Sequence, residues 1–260
     1  CFQHWYLFAA FTIVALFLAM VANRFTVPVY KVTTYLLIKD EENPLDPQNF
    51  IGASLYGNPY KLQNEIGLIQ SKELTKRTLQ GLNFYTSYYK DEKFTFRSLY
   101  HDGPFVVEID SSFEQPLGIS FHVDFINDTI MKLNAEAEDV VCYDFRIHAV
   151  TRQIDKFEFH DTISFGELAG NQYCRFRILP NFRSLGQIAS DKSYTFKFHS
   201  LSELISTFRI SEVEATKNSS ILEISLRCEN VQQGADYLNM LSRAFLAKGI
   251  ERDDKVAVST

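Results

Sequence analysis

An uncharged apolar run near the start of the chain constrains the fold more than any other feature. Trp5 to Ala22 is 18 residues long without a charge, and as a helix this run would span about 27 Å. That length is close to the hydrocarbon thickness of a bilayer. Trp5 and Tyr6 are also aromatic types that collect at membrane interfaces. The run therefore predicts a transmembrane helix over residues 1–25.

Two other interpretations of the run are a buried core helix and a cleaved signal peptide. A core helix rarely carries large apolar side chains on every face. A signal peptide has a shorter apolar stretch, about 7–15 residues, and ends at an A-x-A-like site, which the sequence AMVAN at 19–23 fits poorly. The first residue is Cys1 rather than Met, which predicts an excerpt of a longer protein more readily than a lipoprotein start.

The remaining composition is that of an ordinary globular protein. Hydrophobic residues make up 46% and charged residues 22%, which is typical of folded domains. The formal net charge is -6 and no basic cluster appears, so we expect no nucleic-acid partner. The 23 Phe and 13 Tyr favour strands.

The first part of the chain after the apolar run predicts a strand, a loop and a helix. A β-branched and aromatic pattern around Val29 to Tyr35 indicates a strand. Three prolines and two glycines between residues 42 and 59 indicate a loop. Apolar residues at helical spacing then predict one helix over 60–83, which Gly81 and Asn83 would end.

The middle of the chain alternates apolar and polar residues, as strands do. Residues 84–100 predict a hairpin with its turn at 90–93, and 141–150 predicts a single strand. Loops are expected at 134–139 and 165–172.

The last part of the chain returns to a mixed pattern. Ser200 or Ser202 is expected to cap a helix, residues 219–229 alternate like a strand, and 230–254 predict a final helix. The apolar stripe of that helix is Ala235, Leu238, Leu241 and Phe245.

These elements together predict an α+β fold. We expect a membrane-proximal base, a mixed sheet with packed helices, from residues 26–110 plus 195–250. A β-rich insertion is predicted over 111–194, and residues 251–260 are expected to begin a further C-terminal region.

No motif for catalysis or for a cofactor is present. The sequence has no G-x-x-x-x-G-K-[ST], G-x-G-x-x-G, H-E-x-x-H or G-x-S-x-G pattern, so we expect no catalytic residue, no cofactor and no metal in this chain. Cys142, Cys174 and Cys228 lie far apart without a C-x-x-C. They are expected to be buried thiols, and their disulfide state is left open.

Several stretches in order resemble the Wzz-type polysaccharide co-polymerases, and in particular the Wzc-like branch that is fused to tyrosine autokinases. The stretch LQNEIGLIQSKELTKRTLQGLNF and the closing stretch SSILEISLRCENVQQGADYLNMLSRAF carry the resemblance. The hairpin and the stretch FGELAGNQYCRFRI look like the β insertion of the larger members. The residues that match the family motif are Asn64, Glu65, Ile66, Ile69, Ser71 and Asn239.

The resemblance implies a protein of the bacterial inner membrane with a globular part in the periplasm. It implies a homo-oligomeric ring that regulates the chain length and export of capsular polysaccharide or exopolysaccharide. The implied partners are a polysaccharide polymerase, an outer-membrane export channel or both, and contact with the polysaccharide itself is left open. The six motif residues would then belong to an oligomer face, and a tyrosine autokinase domain would follow residue 260. If no kinase follows, the shorter O-antigen chain-length regulators are the nearer relatives.

A second hypothesis is an extracytoplasmic sugar-sensing domain of a membrane kinase. It would bind sugar through exposed aromatic side chains of the β insertion. Core packing is the simpler explanation of those aromatics, and a hydrolase has no supporting residue.

Overall fold

The computed structural model describes residues 5–25, 28–38, 59–92, 95–182, 193–216 and 219–259. Five α-helices, a short 3₁₀ helix at Tyr100–Asp102 and thirteen strands lie in these ranges. The helices are α1 Trp5–Phe25, α2 Pro59–Ile69, α3 Lys72–Gln80, α4 Leu201–Phe208 and α5 Val231–Ser259. The strands are β1 Tyr30–Leu37, β2 Thr86–Glu92, β3 Thr95–Ser98, β4 Phe105–Ile109, β5 Gln115–Pro116, β6 Phe121–Phe125, β7 Ile130–Asp144, β8 Ala149–Ser164, β9 Leu168–Gly170, β10 Arg175–Pro180, β11 Ser193–Phe198, β12 Glu212–Ala215 and β13 Ile221–Cys228.

Helix α1 confirms that the apolar run is helical, but not that it crosses a membrane. In the described part of the chain, no helix combines the length and the apolar character that a membrane span requires. Helix α1 also continues beyond the uncharged run, through Asn23 and Arg24. The predicted transmembrane helix, and with it the fold class of a membrane-anchored base and the inner-membrane localisation, is therefore corrected.

The described side chains of α1 are exposed around the helix. Phe8, Phe11 and Met20 are each at least 74% exposed. Phe8 and Phe11 are neighbours one turn apart, whereas Met20 lies on the opposite side of the helix.

The first packed unit, here called the α/β unit, consists of β1, β12, β13 and helices α2 to α5. Its sheet has the order β1-β13-β12 and is antiparallel throughout. Alternate residues of β13 point to the two faces of the sheet, so that Leu222, Ile224 and Leu226 are buried against the helices. The opposite face carries Lys31 of β1 and its register partner Arg227.

Helix α5 packs closely against this sheet because Gly234 carries no side chain. A Cβ at Gly234 would lie 2.5 Å from Cys228 Sγ and 3.0 Å from Val32 Cγ2. The apolar stripe predicted for this helix is confirmed at Leu238, Leu241 and Phe245, which are all buried, whereas its fourth member, Ala235, is only partly buried.

The predicted single helix over 60–83 is instead two helices. Helix α2 ends at Ile69, and Ser71 is the N-cap of α3, its Oγ accepting a hydrogen bond from the backbone N–H of Leu74 at 3.2 Å. The helical stretch is therefore interrupted at Gln70 and Ser71. The predicted loop over 42–59 lies almost wholly outside the described residues.

The second unit, here called the β-rich unit, consists of β2 to β11. Its two antiparallel sheets have the orders β3-β2-β11-β6-β7-β5, with β8 pairing to β7, and β4-β10-β9. Phenylalanines form much of its core: Phe105, Phe121, Phe125, Phe157, Phe159, Phe176, Phe196 and Phe198 are all buried. Strands β2 to β4 lie before residue 111 and pair within these sheets, and the predicted division into domains stays a prediction.

The β-rich unit leaves and rejoins the α/β unit at neighbouring residues. The backbone N–H of His199 donates to the carbonyl oxygen of Tyr85 at 2.9 Å. The hydroxyl of Tyr143 also accepts a hydrogen bond from the N–H of Leu201 at 3.3 Å. Both chain crossings therefore lie together, next to the start of α4. Of the two predicted N-cap residues of this helix, Ser200 and Ser202, the structure shows Ser200 in that role.

Candidate functional site

The six motif residues lie on α2, at the start of α3 and on α5. Asn64 and Asn239 are exposed, whereas Glu65 and Ile69 are buried. Ile66 packs at the edge of the core of the α/β unit. Ser71 has the capping role described above, so its contribution is local. The role of these residues in an oligomer face stays a prediction.

Glu65 is the unusual member of this set because it is a buried carboxylate. Its exposed fraction is 5%, and its Oε1 accepts a hydrogen bond from Arg252 Nη1 at 3.0 Å. The other oxygen, Oε2, has no hydrogen-bond partner among the described residues. Burying a charged group is costly unless it is paired, so the contact with α5 is what makes a carboxylate tolerable here.

A cleft of about 590 Å³ opens beside the break between α2 and α3. The end of α4, the segment leading into β12, and β13 form its walls. Gln70 connects the α2–α3 break to the segment between α4 and β12. Its side-chain Nε2 donates to the carbonyl oxygen of Ser211 at 3.1 Å, and its backbone carbonyl oxygen accepts from Arg209 Nε at 3.0 Å. The cleft is lined by polar side chains for the most part, including Ser206, Thr207, Arg209, Glu212, Ser225 and Arg227.

The two arginines of the cleft differ in their partners. Arg227 Nη2 lies 2.8 Å from Glu212 Oε1, and Lys31 Nζ lies 3.3 Å from Glu212 Oε2. The hydrogen bond from Lys31, together with the charges of Arg227 and Lys31, lowers the pKa of Glu212. Arg209 has no carboxylate within ion-pair distance among the described residues. The cleft therefore holds one neutralised arginine and one that is not neutralised.

Sequence reasoning did not find this cleft. Gln70, Arg209 and Arg227 are ordinary residues in their local sequence, and only the packing of α3 against α4 and the hydrogen bonds of Gln70 bring them together. Ser71 is the one local signal, because Ser is a preferred N-cap residue and an N-cap at that point implies a break in the predicted helix.

The helices α2 and α3 also lie in the part of the chain that matches a known protein family. The fold defines an α+β protein in which the elements that follow an exposed apolar helix pack with the closing strand and helix. The family model of the chain length determinant protein, Wzz, matches residues 2–82, which include α1, β1, α2 and α3. The predicted resemblance to the Wzz-type polysaccharide co-polymerases is thereby confirmed over about the first third of the chain, without distinguishing the Wzc-like branch. No curated protein matches the chain at a significant level.

Proposed function

We propose that this chain determines polysaccharide chain length as a homo-oligomeric scaffold that works with a polysaccharide polymerase or an export channel. The single observation that carries the proposal is the match of the chain length determinant family to residues 2–82. A supporting observation is that β1, α2 and α3 share one hydrophobic core with β13 and α5. The matched region is therefore part of a unit that residues far beyond it complete.

The structure sharpens the choice of a variant for testing this proposal. Glu65→Ala would remove a buried charge partner of Arg252, so any effect on chain length would be mixed with a loss of stability. Asn64 is exposed and belongs to the same motif, so Asn64→Ala leaves the core intact. Gln63 is also exposed, and successive residues lie about 100° apart around a helix, which makes Gln63→Ala a matched control on another face.

The experiment compares polysaccharide length in a bacterial strain that lacks the gene and in the same strain complemented with each version of it. We expect the wild-type gene to restore a defined length distribution on gels, Asn64→Ala to shift it, and Gln63→Ala to leave it as in the wild type. Cross-linking of each protein measures oligomer size in parallel. Identical length distributions with and without the gene would refute the proposal.

We further propose that the chain comes from the branch fused to a tyrosine autokinase. The support is the large β-rich unit, which resembles the insertion of those members. Sequencing the parent gene beyond the codon for Thr260 tests this, and a nucleotide-binding motif of the P-loop type is the expected result.

The sugar-sensing alternative has less support in the described residues. It requires exposed aromatic side chains on the β-rich unit, whereas eight of its phenylalanines are buried in the core. Packing accounts for those aromatics, so the scaffold is the function we favour.

A further inference from the structure

Arg209 is a charged donor fixed in place at the wall of the cleft beside Gln70. Its Nε donates to the Gln70 carbonyl oxygen at 3.0 Å, and Gln70 is itself held by its hydrogen bond to Ser211. The terminal nitrogens of Arg209 have no hydrogen-bond partner among the described residues. An arginine that is held by one nitrogen keeps its planar fork available for an oxyanion, which it binds through two parallel hydrogen bonds.

Charges facing the cleft select for a negatively charged group. The charged side chains lining it are Arg209, Arg227 and Glu212, and Lys31 contacts Glu212 from β1. Because Glu212 is already shared between Lys31 and Arg227, the group of four carries a surplus of positive charge. An anion is therefore the ligand type that this electrostatic environment favours.

Hydroxyl groups near Arg209 add acceptors to this donor. The hydroxyls of Ser206 and Thr207 donate to the carbonyl oxygens of Ser202 and Glu203, each at 3.0 Å. Their protons are used within α4, and their oxygen lone pairs stay available to accept. A ligand that carries hydroxyl groups beside its anionic group could bind the Arg209 donor through the anion and donate to these oxygens through the hydroxyls.

The size of the cleft agrees with a small ligand or with part of a chain. Its volume of about 590 Å³ falls within the range of about 300–1,000 Å³ that is usual for ligand pockets.

We propose that the cleft around Arg209 binds an anionic group carried on a sugar, either a uronate carboxylate or a sugar phosphate. The inference rests on the proposed function, because a polysaccharide or its precursor would present such a group to this chain. Arg209 binds the oxyanion, and the oxygens of Ser206 and Thr207 accept from sugar hydroxyls.

Calorimetric titration of the full chain measures this binding directly, without reference to polysaccharide length. Tetragalacturonate and glucose 1-phosphate are the two anionic probes. Maltotetraose is the neutral control for the first, and inorganic phosphate is the sugar-free control for the second. We expect at least one anionic sugar to bind more tightly than both matched probes. The anionic sugar that binds identifies the source of the anion.

Substitution at Arg209 then locates the binding. Arg209→Gln is expected to weaken it by about tenfold or more, since it removes a charge-assisted pair of hydrogen bonds. Arg209→Lys keeps the charge but loses the fork and is expected to bind with intermediate affinity. Arg177→Gln removes an exposed arginine of the β-rich unit and is expected to bind as the wild type does. Thermal unfolding of each variant establishes that it is folded.

Three outcomes would overturn the inference: no binding of either anionic sugar, equal binding of maltotetraose or inorganic phosphate, or wild-type affinity in a folded Arg209→Gln variant. A chain that binds an anionic sugar through Arg209 but leaves polysaccharide length unchanged in cells would instead refute the proposed function alone.

Discussion

Glu65 on α2 and Arg252 on α5 form an ion pair across 187 residues of sequence, with 3.0 Å between Oε1 and Nη1. Arg77 on α3 forms a second one with the preceding residue of α5, Glu251, with 2.9 Å between Nη1 and Oε2. The two pairs have opposite polarity, so the adjacent residues Glu251 and Arg252 each meet the complementary charge. They differ in burial, because Glu65 is 5% exposed whereas Arg77 and Glu251 are both substantially exposed.

This difference in burial predicts unequal effects of removing the two arginines. Arg252→Ala leaves the Glu65 carboxylate buried without a partner, and we expect the free energy of unfolding to fall by about 1–3 kcal/mol. Arg77→Ala removes an exposed pair, and the expected loss is clearly smaller, because exposed ion pairs contribute little to stability. Urea unfolding followed by circular dichroism measures both, and equal losses would contradict the account given for Glu65.

Gly234 and Gly249 predict opposite responses to the same substitution. Gly234→Ala places a methyl group within 2.5 Å of Cys228 Sγ, which forces α5 away from the sheet, and overpacking of this kind costs about 1–3 kcal/mol. Gly249 has no atom within 4 Å of such a methyl group and lies inside α5, so Gly249→Ala is expected to stabilise by about 0.5–1 kcal/mol. The midpoint of thermal unfolding measures both, and a stabilised Gly234→Ala variant would refute the close approach.

Burial predicts the order in which the thiols react. It raises the pKa of Cys174 to about 12, so at pH 8 only about one Cys174 in ten thousand is a thiolate, the reactive form. Cys228 is partly exposed, and the three described cysteines are free. In a Cys1→Ser background, we expect iodoacetamide to modify Cys228 first and Cys174 only after unfolding.

Peptide mapping by mass spectrometry measures the modified fraction of each cysteine over time. Repeating the reaction in denaturant is the control, because all three thiols should then react at similar rates. Rapid modification of Cys174 in the native protein would contradict the packing described for the core of the β-rich unit.

Glu212 predicts a dependence of stability on pH. Its pKa is lowered from 4.5 by the hydrogen bond from Lys31 and by the nearby charges of Arg227 and Lys31. A carboxyl group whose pKa is lower in the folded state stabilises that state above its unfolded pKa, and the effect is lost as the pH falls through the folded pKa. We therefore expect wild-type protein to be more stable than Glu212→Gln at pH 7, with the difference vanishing below the folded pKa.

Unfolding of both proteins in urea at pH 7, 5, 4 and 3 measures this difference. Glu214→Gln is the matched control, because it removes an exposed carboxylate of the same strand. A difference that stays constant from pH 7 to pH 3 would show that Glu212 acts through packing rather than through its charge.

Much of the fold follows from patterns that the sequence displays. Alternation over 219–229 predicts the strand found at 221–228, and an apolar stripe predicts α5. On β13, Leu222, Ile224 and Leu226 are buried, whereas Glu223 and Arg227 on the other face are more exposed. The loop expected at 134–139 was wrong: these residues lie within β7. Ala135 and Ala137 face the core there, and small apolar residues give a weak alternation signal.

The predicted strand over 141–150 was also wrong, because it contains the turn between β7 and β8. The backbone N–H of Arg146 donates to Asp144 Oδ1 at 2.8 Å, and His148 adopts a left-handed conformation with φ of 52°. Asp is a frequent first residue of turns, but the apolar residues on both sides hide that signal. The cleft around Arg209 could not be predicted from the sequence for a different reason, since its residues come from segments about 140 positions apart.

The hydrogen bond between His199 and Tyr85 has a consequence for how proteins of this shape can diversify. Because the chain crosses out of the α/β unit and back into it at touching residues, everything between the two crossings behaves as a cassette. Those of its strands that do not contact the α/β unit can be extended, trimmed or exchanged without moving the sheet and helices to which the cassette is attached. The size of the β-rich unit can therefore vary while the α/β unit, which contains β1, α2 and α3 from the match to chain length determinants, stays the same.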